Sequence, residues 1–133
     1  MKPNRTVVVT QLPEAVTLNN AHQLRREIAP ALEADRPCLV FDCSRVRQLD
    51  SAGIEMLLTS LEEAMKRNGD VKLAAVSSQV SVVLKLTRVD RLFEIFEDSR
   101  DAAESFDRFR VQALRPATVF ELETSPPRIG RLR

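Results

Sequence analysis

The sequence predicts a small α/β domain with a largely parallel or mixed sheet. Three observations lead there. β-branched and apolar runs alternate with amphipathic helical stretches along most of the chain. One such run, Leu39-Val40-Phe41, is continuously apolar, as suits a central strand covered on both faces. The 133 residues fit one domain, and a hydrophobic content of 44% is enough for a core. With no Trp or Tyr, that core must be built from Leu, Val, Ile and six Phe.

Thr6-Val7-Val8-Val9-Thr10 is β-branched throughout and reads as the first strand, ended by Pro13. Asn19 or Asn20 can cap a helix running to about Ala34, with Ala21, Leu24, Ile28, Ala31 and Leu32 at helical spacing. Pro30 lies inside it and is expected to kink or shorten it. Pro37 forces an extended entry to the strand at 38–41. Residues 42–50 form a polar connection with Val46 and Leu49 tucked in.

The helix after Ser51 places Ile54, Leu57, Leu58, Leu61, Ala64 and Met65 on one face, and Asn68-Gly69 stops it with a left-handed cap. Residues 71–76 form the next strand. Ser77 or Ser78 then caps a helix with Val80, Val83, Leu84 and Thr87 inward. Leu92-Phe93-Glu94-Ile95-Phe96 is strand-like, and Asp98 caps a last helix with Asp101 three residues on. Ala102, Phe106 and Phe109 face the core. The count is four to five strands with about four flanking helices. The domain is expected to span 1–110. Residues 111–133 form a C-terminal extension, in which Val119-Phe120-Glu121-Leu122 could add a strand before a loose basic end.

Composition excludes several functions. Through residue 110 the chain carries 16 basic and 17 acidic residues, so no nucleic-acid groove is expected. No apolar run approaches the roughly 18 residues of a membrane span, and the first residues lack a signal-peptide core. Cys38 and Cys43, five apart, point to opposite faces if one strand runs through both, and read as two buried thiols of a reducing cytosol. The single histidine, His22, sits on a predicted surface helix, so a Ser-His-Asp triad has no other base to draw on. No Cys/His/carboxylate cluster is spaced for zinc. Three glycines, Gly53, Gly69 and Gly130, cannot make a phosphate-cradling loop. Neither an enzyme nor a bound cofactor is expected.

One stretch remains. Asp50-Ser51-Ala52-Gly53-Ile54 follows the central strand and opens the strongest helix. Asp50 can accept from the unpaired amides of the first turn. Ser51 then stands with its hydroxyl outward, where a phosphate can sit. Ala52 and Gly53 keep the neighbourhood small, and Gly53 permits close approach to the sheet or a partner. The end of a strand in an open α/β sheet is a favoured place for function.

These residues resemble the STAS domain family, bacterial anti-sigma-factor antagonists in particular. The likeness rests on Leu39-Val40-Phe41-Asp42, Val46, Leu49-Asp50-Ser51-Ala52-Gly53-Ile54 and Leu57-Leu58, and continues through Gly69, Val71-Lys72-Leu73 and Leu92-Phe93-Glu94-Ile95-Phe96. It covers roughly residues 5–110. It implies a cytoplasmic protein that binds an anti-sigma factor, often a serine kinase of the GHKL ATPase type, and so frees a sigma factor. Ser51 falls on the family's phosphorylated serine. The kinase would inactivate the chain and a PP2C-type phosphatase would restore it. ATP and magnesium belong to the kinase. Asp50, Ser51, Ala52, Gly53, Thr17 and Asn19 are the implied partner-contacting residues. The chain departs from the family at Ala52, where many members have a second Ser or Thr, and at Thr17, where many have an acidic residue. The alternative is a non-switching STAS subunit of a stressosome-like assembly or a lipid-transport ABC complex, in which Ser51 is only a cap. A hydrolase using Ser51 is disfavoured by the missing base.

Overall fold

In a computed structural model of the chain, residues 5–106 and 109–113 are described, with side chains for 6–106. The elements are β1 (Arg5–Gln11), β2 (Ala15–Val16), α1 (Ala21–Leu32), β3 (Cys38–Asp42), β4 (Gln48–Leu49), α2 (Ser51–Lys66), β5 (Asp70–Ala74), α3 (Ser78–Leu86), a 3-10 turn (Val89–Arg91), β6 (Ile95–Phe96), α4 (Ser99–Glu104) and β7 (Phe109–Ala113). Five strands form one sheet in the order β6-β5-β3-β1-β7, and β2 pairs with β4 in a second, two-stranded sheet. Every pairing among the described residues is parallel.

The pleat sorts side chains into two cores. All five residues of β3 are buried. Leu39 and Phe41 join the larger core, under α1, α2 and α3; Cys38 and Val40 join the smaller one, under α4. β5 divides in the same way: Val71 and Leu73 face the larger core and Ala74 the smaller. This two-sided burial is why the β3 sequence is apolar without alternation. Each fully buried Leu or Phe contributes about 1.5–3 kcal/mol. Cys38 and Cys43 lie in different cores and are not joined in a disulfide, and burial pushes the Cys43 thiol up to about 12.

Several local expectations are corrected. Asn20 is the N-cap of α1 but its side chain makes no cap bond. Its Oδ1 accepts from the Thr17 amide at 2.9 Å and its Nδ2 donates to the Ala15 carbonyl at 2.7 Å, so it ties the preceding loop instead. α1 runs through Pro30 and stops at Leu32, short of the expected Ala34, with the Glu33 amide donating to the Ala29 and Pro30 carbonyls. On α2, Met65 is 60% exposed while Met56 and Ser60 are buried. Leu57, Leu61 and Ala64 of the expected stripe are buried and Ile54 and Leu58 pack against the core, so the buried face is as expected except that Gly53, Met56 and Ser60 join it and Met65 does not. Ser60 is tolerated inside because its hydroxyl donates to the Met56 carbonyl at 2.8 Å.

The left-handed cap expected at Asn68-Gly69 is made by Asn68 (φ 65°). Gly69 is needed for another reason, since a Cβ there would collide with the Pro37 backbone. Thr87 is exposed rather than inward; its hydroxyl donates back to the Val83 and Leu84 carbonyls at the end of α3. Of the strand-like run 92–96, only Ile95–Phe96 is strand. β7 runs across residue 110, where the domain was expected to end, and pairs with β1. The strand expected at 119–122 and the basic end lie outside the described residues.

Candidate functional site

Because the main strands are parallel, the connections that follow β1, β3 and β5 all emerge at the carboxyl end of the sheet. Two of them are bound together there. β2 and β4 pair with Ala15 opposite Gln48 and Val16 opposite Leu49. The Arg47 and Gln48 amides both donate to the Glu14 carbonyl. This ladder carries residues 17–20 to the start of α2.

Asp50 closes the junction. It is the N-cap of α2, in extended conformation. Its Oδ1 accepts from the Gly53 amide at 2.9 Å, within the first helical turn. Its Oδ2 accepts from the Leu18 amide at 3.0 Å, across 32 residues of sequence. These donors, Gly53 first and Leu18 second, hold its carboxyl below the usual aspartate range. The carboxylate is therefore charged at neutral pH.

Gly53 fixes the distance between the two segments. A Cβ there would collide with the Val16 carbonyl oxygen and lie 2.8 Å from Leu49 Cδ1. The helix can only meet β2 this closely because residue 53 has no side chain. Ala52 is half-buried and packs against the larger core.

Ser51 is exposed and is the first residue of α2. Its hydroxyl makes no hydrogen bond among the described residues; Asp50 does the capping. The serine thus stands at a helix N-terminus, where free amides and the helix dipole favour an anion. Thr17 and Asn19 sit on the neighbouring loop, where the Asn19 amide donates to Thr17 Oγ1 at 3.3 Å. Thr17 also lines, with Leu49, Asp50, Gln79, Val80 and Val83, an open groove of about 360 Å³ that Arg47 and Gln48 complete.

The fold places all six residues singled out in the sequence at this junction, but Gly53 is buried against β2 and is not open to a partner as expected. It also adds two features they did not include. Leu18 is 76% exposed at the rim, held there by its own amide bond to Asp50. A leucine alone between polar loop residues was the available signal. The contribution of α3 to the groove had none, since it depends on packing between helices distant in sequence. Among the described residues no group of three or more His, Cys, Asp or Glu could hold a metal ion, and no helix is long and apolar enough to cross a membrane.

The sequence matches the family model of the STAS domain over residues 1–102. The chain belongs to the STAS domain family. Solved structures share its fold. A candidate anti-sigma factor antagonist from Thermotoga maritima superposes with a TM-score of 0.68 at 24% identity, covering 78% of this STAS chain and 92% of its own. An anti-sigma factor antagonist from Mycobacterium paratuberculosis gives 0.65 at 24%, covering 74% and 85%. The STAS domain of a SulP transporter from Vibrio cholerae gives 0.58 at 18%, covering 77% and 80%. At these identities the likeness is one of fold. It extends from antagonists to a transporter domain, so the STAS architecture alone does not choose between those roles.

Proposed function

We propose that this STAS domain is an anti-sigma-factor antagonist whose docking is switched off by phosphorylation of Ser51. The partner is an anti-sigma factor that is itself a serine kinase of the GHKL type, and docking frees a sigma factor in the cytoplasm. A PP2C-type phosphatase reverses the modification. Asp50, Ala52, Thr17 and Asn19 share the docking face with Ser51; Gly53, buried against β2, sets the position of that face rather than touching the partner.

The observation that carries this reading is the exposed Ser51 hydroxyl, which caps nothing and sits beside a fixed carboxylate. If Ser51 served only as a cap, as in a non-switching subunit, its oxygen would hold a helical amide, and here Asp50 has that role. A phosphate on Ser51 adds about 1.5–2 negative charges, which the helix N-terminus tolerates. The cost falls on the partner. One such charge about 5 Å from a partner carboxylate, at an effective dielectric of about 20, costs about 3 kcal/mol. That is over a hundredfold in affinity, with no backbone movement required.

Calorimetry with the cognate anti-sigma factor tests this. Ser51→Asp is expected to abolish binding while the melting temperature stays within a few degrees of wild type. Ser51→Ala is expected to bind constitutively and to resist labelling by the kinase. Equal affinity of wild type and Ser51→Asp would sink the switch, and persistent labelling of Ser51→Ala would move the acceptor elsewhere.

A further inference from the structure

Among the described residues six large apolar side chains are exposed, and four of them, Val82, Leu86, Leu92 and Ile95, lie between positions 82 and 95. Val82 and Leu86 stand one turn apart on α3, and Leu86, at 78%, is the most exposed of the six. Leu92 follows the 3-10 turn, and Ile95 lies on the edge strand β6. Lys85, Arg88 and Arg91 accompany them at three-residue intervals. Arg88 is left-handed (φ 65°) and turns the chain from the end of α3 into the 3-10 turn, its amide donating to the Lys85 carbonyl at 3.1 Å and its carbonyl accepting from the Arg91 amide at 3.3 Å. All three are exposed, and none forms an ion pair among the described residues. A row of cations along the sequence thus accompanies the exposed apolar residues of 82–95; on α3 itself Val82 and Leu86 interleave with Gln79, Val80 and Val83, which line the groove beside Asp50.

We propose that this surface docks an acidic amphipathic segment of another protein. Carboxylates on the segment would meet Lys85, Arg88 and Arg91, and its apolar side chains would cover Leu86 and Leu92. The proposal is independent of what happens at Ser51.

Charge selects the occupant. The chain's own residues 114–133 carry four Arg against two Glu, and would be repelled by the basic row. A twofold pairing with a second copy would bring two basic rows into one interface and supply no excess of carboxylates to meet them. An anionic bilayer is a broad surface and would also meet Asp90, Glu97 and Asp98, whereas a narrow segment can engage the cations alone. Glu94 does not neutralise the row, because it pairs with Lys72 at 3.0 Å.

Panning the full chain against a random-peptide display library tests the proposal. Enriched peptides are expected to be acidic and apolar, and the best of them to shift backbone amide resonances confined to 82–95. Its affinity should fall about tenfold in Lys85→Glu/Arg88→Glu/Arg91→Glu, as three exposed charge pairs would give, and should fall with added salt. Leu86→Ser/Leu92→Ser should weaken it without reversing charge. No enrichment, enrichment of neutral or basic peptides, shifts outside this surface, or unchanged affinity in both variants would overturn the proposal. So would co-sedimentation of the wild type, but not the charge-reversed variant, with phosphatidylglycerol vesicles, or binding of a 114–133 peptide to the same residues.

Discussion

The carboxylate of Asp50 accepts from the amide of Leu18 at 3.0 Å while its other oxygen holds the Gly53 amide at 2.9 Å. One side chain therefore caps the helix that displays Ser51 and anchors the loop that carries Thr17 and Asn19. The presentation of the site depends on this bridge.

Asp50→Ala should free the Leu18 loop while leaving the sheet intact. Amide hydrogen exchange is the measurement. The Leu18 and Gly53 amides should exchange faster in the variant, and the core amides of Leu39 and Leu73 should keep their rates. Asp50→Asn retains an acceptor oxygen and should lose only part of the protection.

The same bridge makes an acid-sensitive contribution. Hydrogen bonds hold the folded Asp50 pKa below its unfolded value of about 3.9. The contribution is then fully present above about pH 4 and is lost as pH falls through the lower folded value. The stability difference between wild type and Asp50→Asn, measured by denaturant titration, should be constant from pH 7 to about 5 and shrink below about 4. A difference that grew on acidification would contradict the assignment.

Gly53→Ala should destabilise the domain by about 1–3 kcal/mol, as overpacking at a site that cannot relax does. The colliding atom is a backbone oxygen of Val16, which can move only by opening the β2–β4 pairing. A lowered denaturation midpoint with an unchanged m-value checks this. Gly→Ala is favourable at most helix positions, so the sign itself is diagnostic.

Cys43 should be chemically silent in the folded protein. Its thiol is buried and pushed up to about 12, chiefly by desolvation and then by the Asp42 charge, so thiolate is scarce at pH 8. Alkylation by iodoacetamide should follow global unfolding across a denaturant series. Rapid labelling in buffer would place the thiol nearer solvent.

Much of the fold can be read in the residues themselves. Continuous apolar runs mark β1 and β3, since a strand covered on both faces has no polar side to show; β5 is interrupted by Lys72 and is marked by its flanking apolar residues. Asp50, Ser77 and Asp98 mark helix starts, and each accepts a cap bond in the structure. The Asp50-Ser51 pair is legible for the same local reason: a cap bond spans three residues and needs no distant partner.

What the sequence by itself determined is therefore the α/β alternation, the caps, and the serine at the head of α2. The tertiary structure alone decided what surrounds that serine. The β2–β4 pairing, the Leu18–Asp50 bond and the collision that requires Gly53 all join segments some 30 residues apart, through two-residue strands too short to carry a periodic signal. The same holds for the edge of the buried face of α2, where Met56 is buried and Met65 exposed, because both are apolar and only the packing of neighbouring helices selects between them.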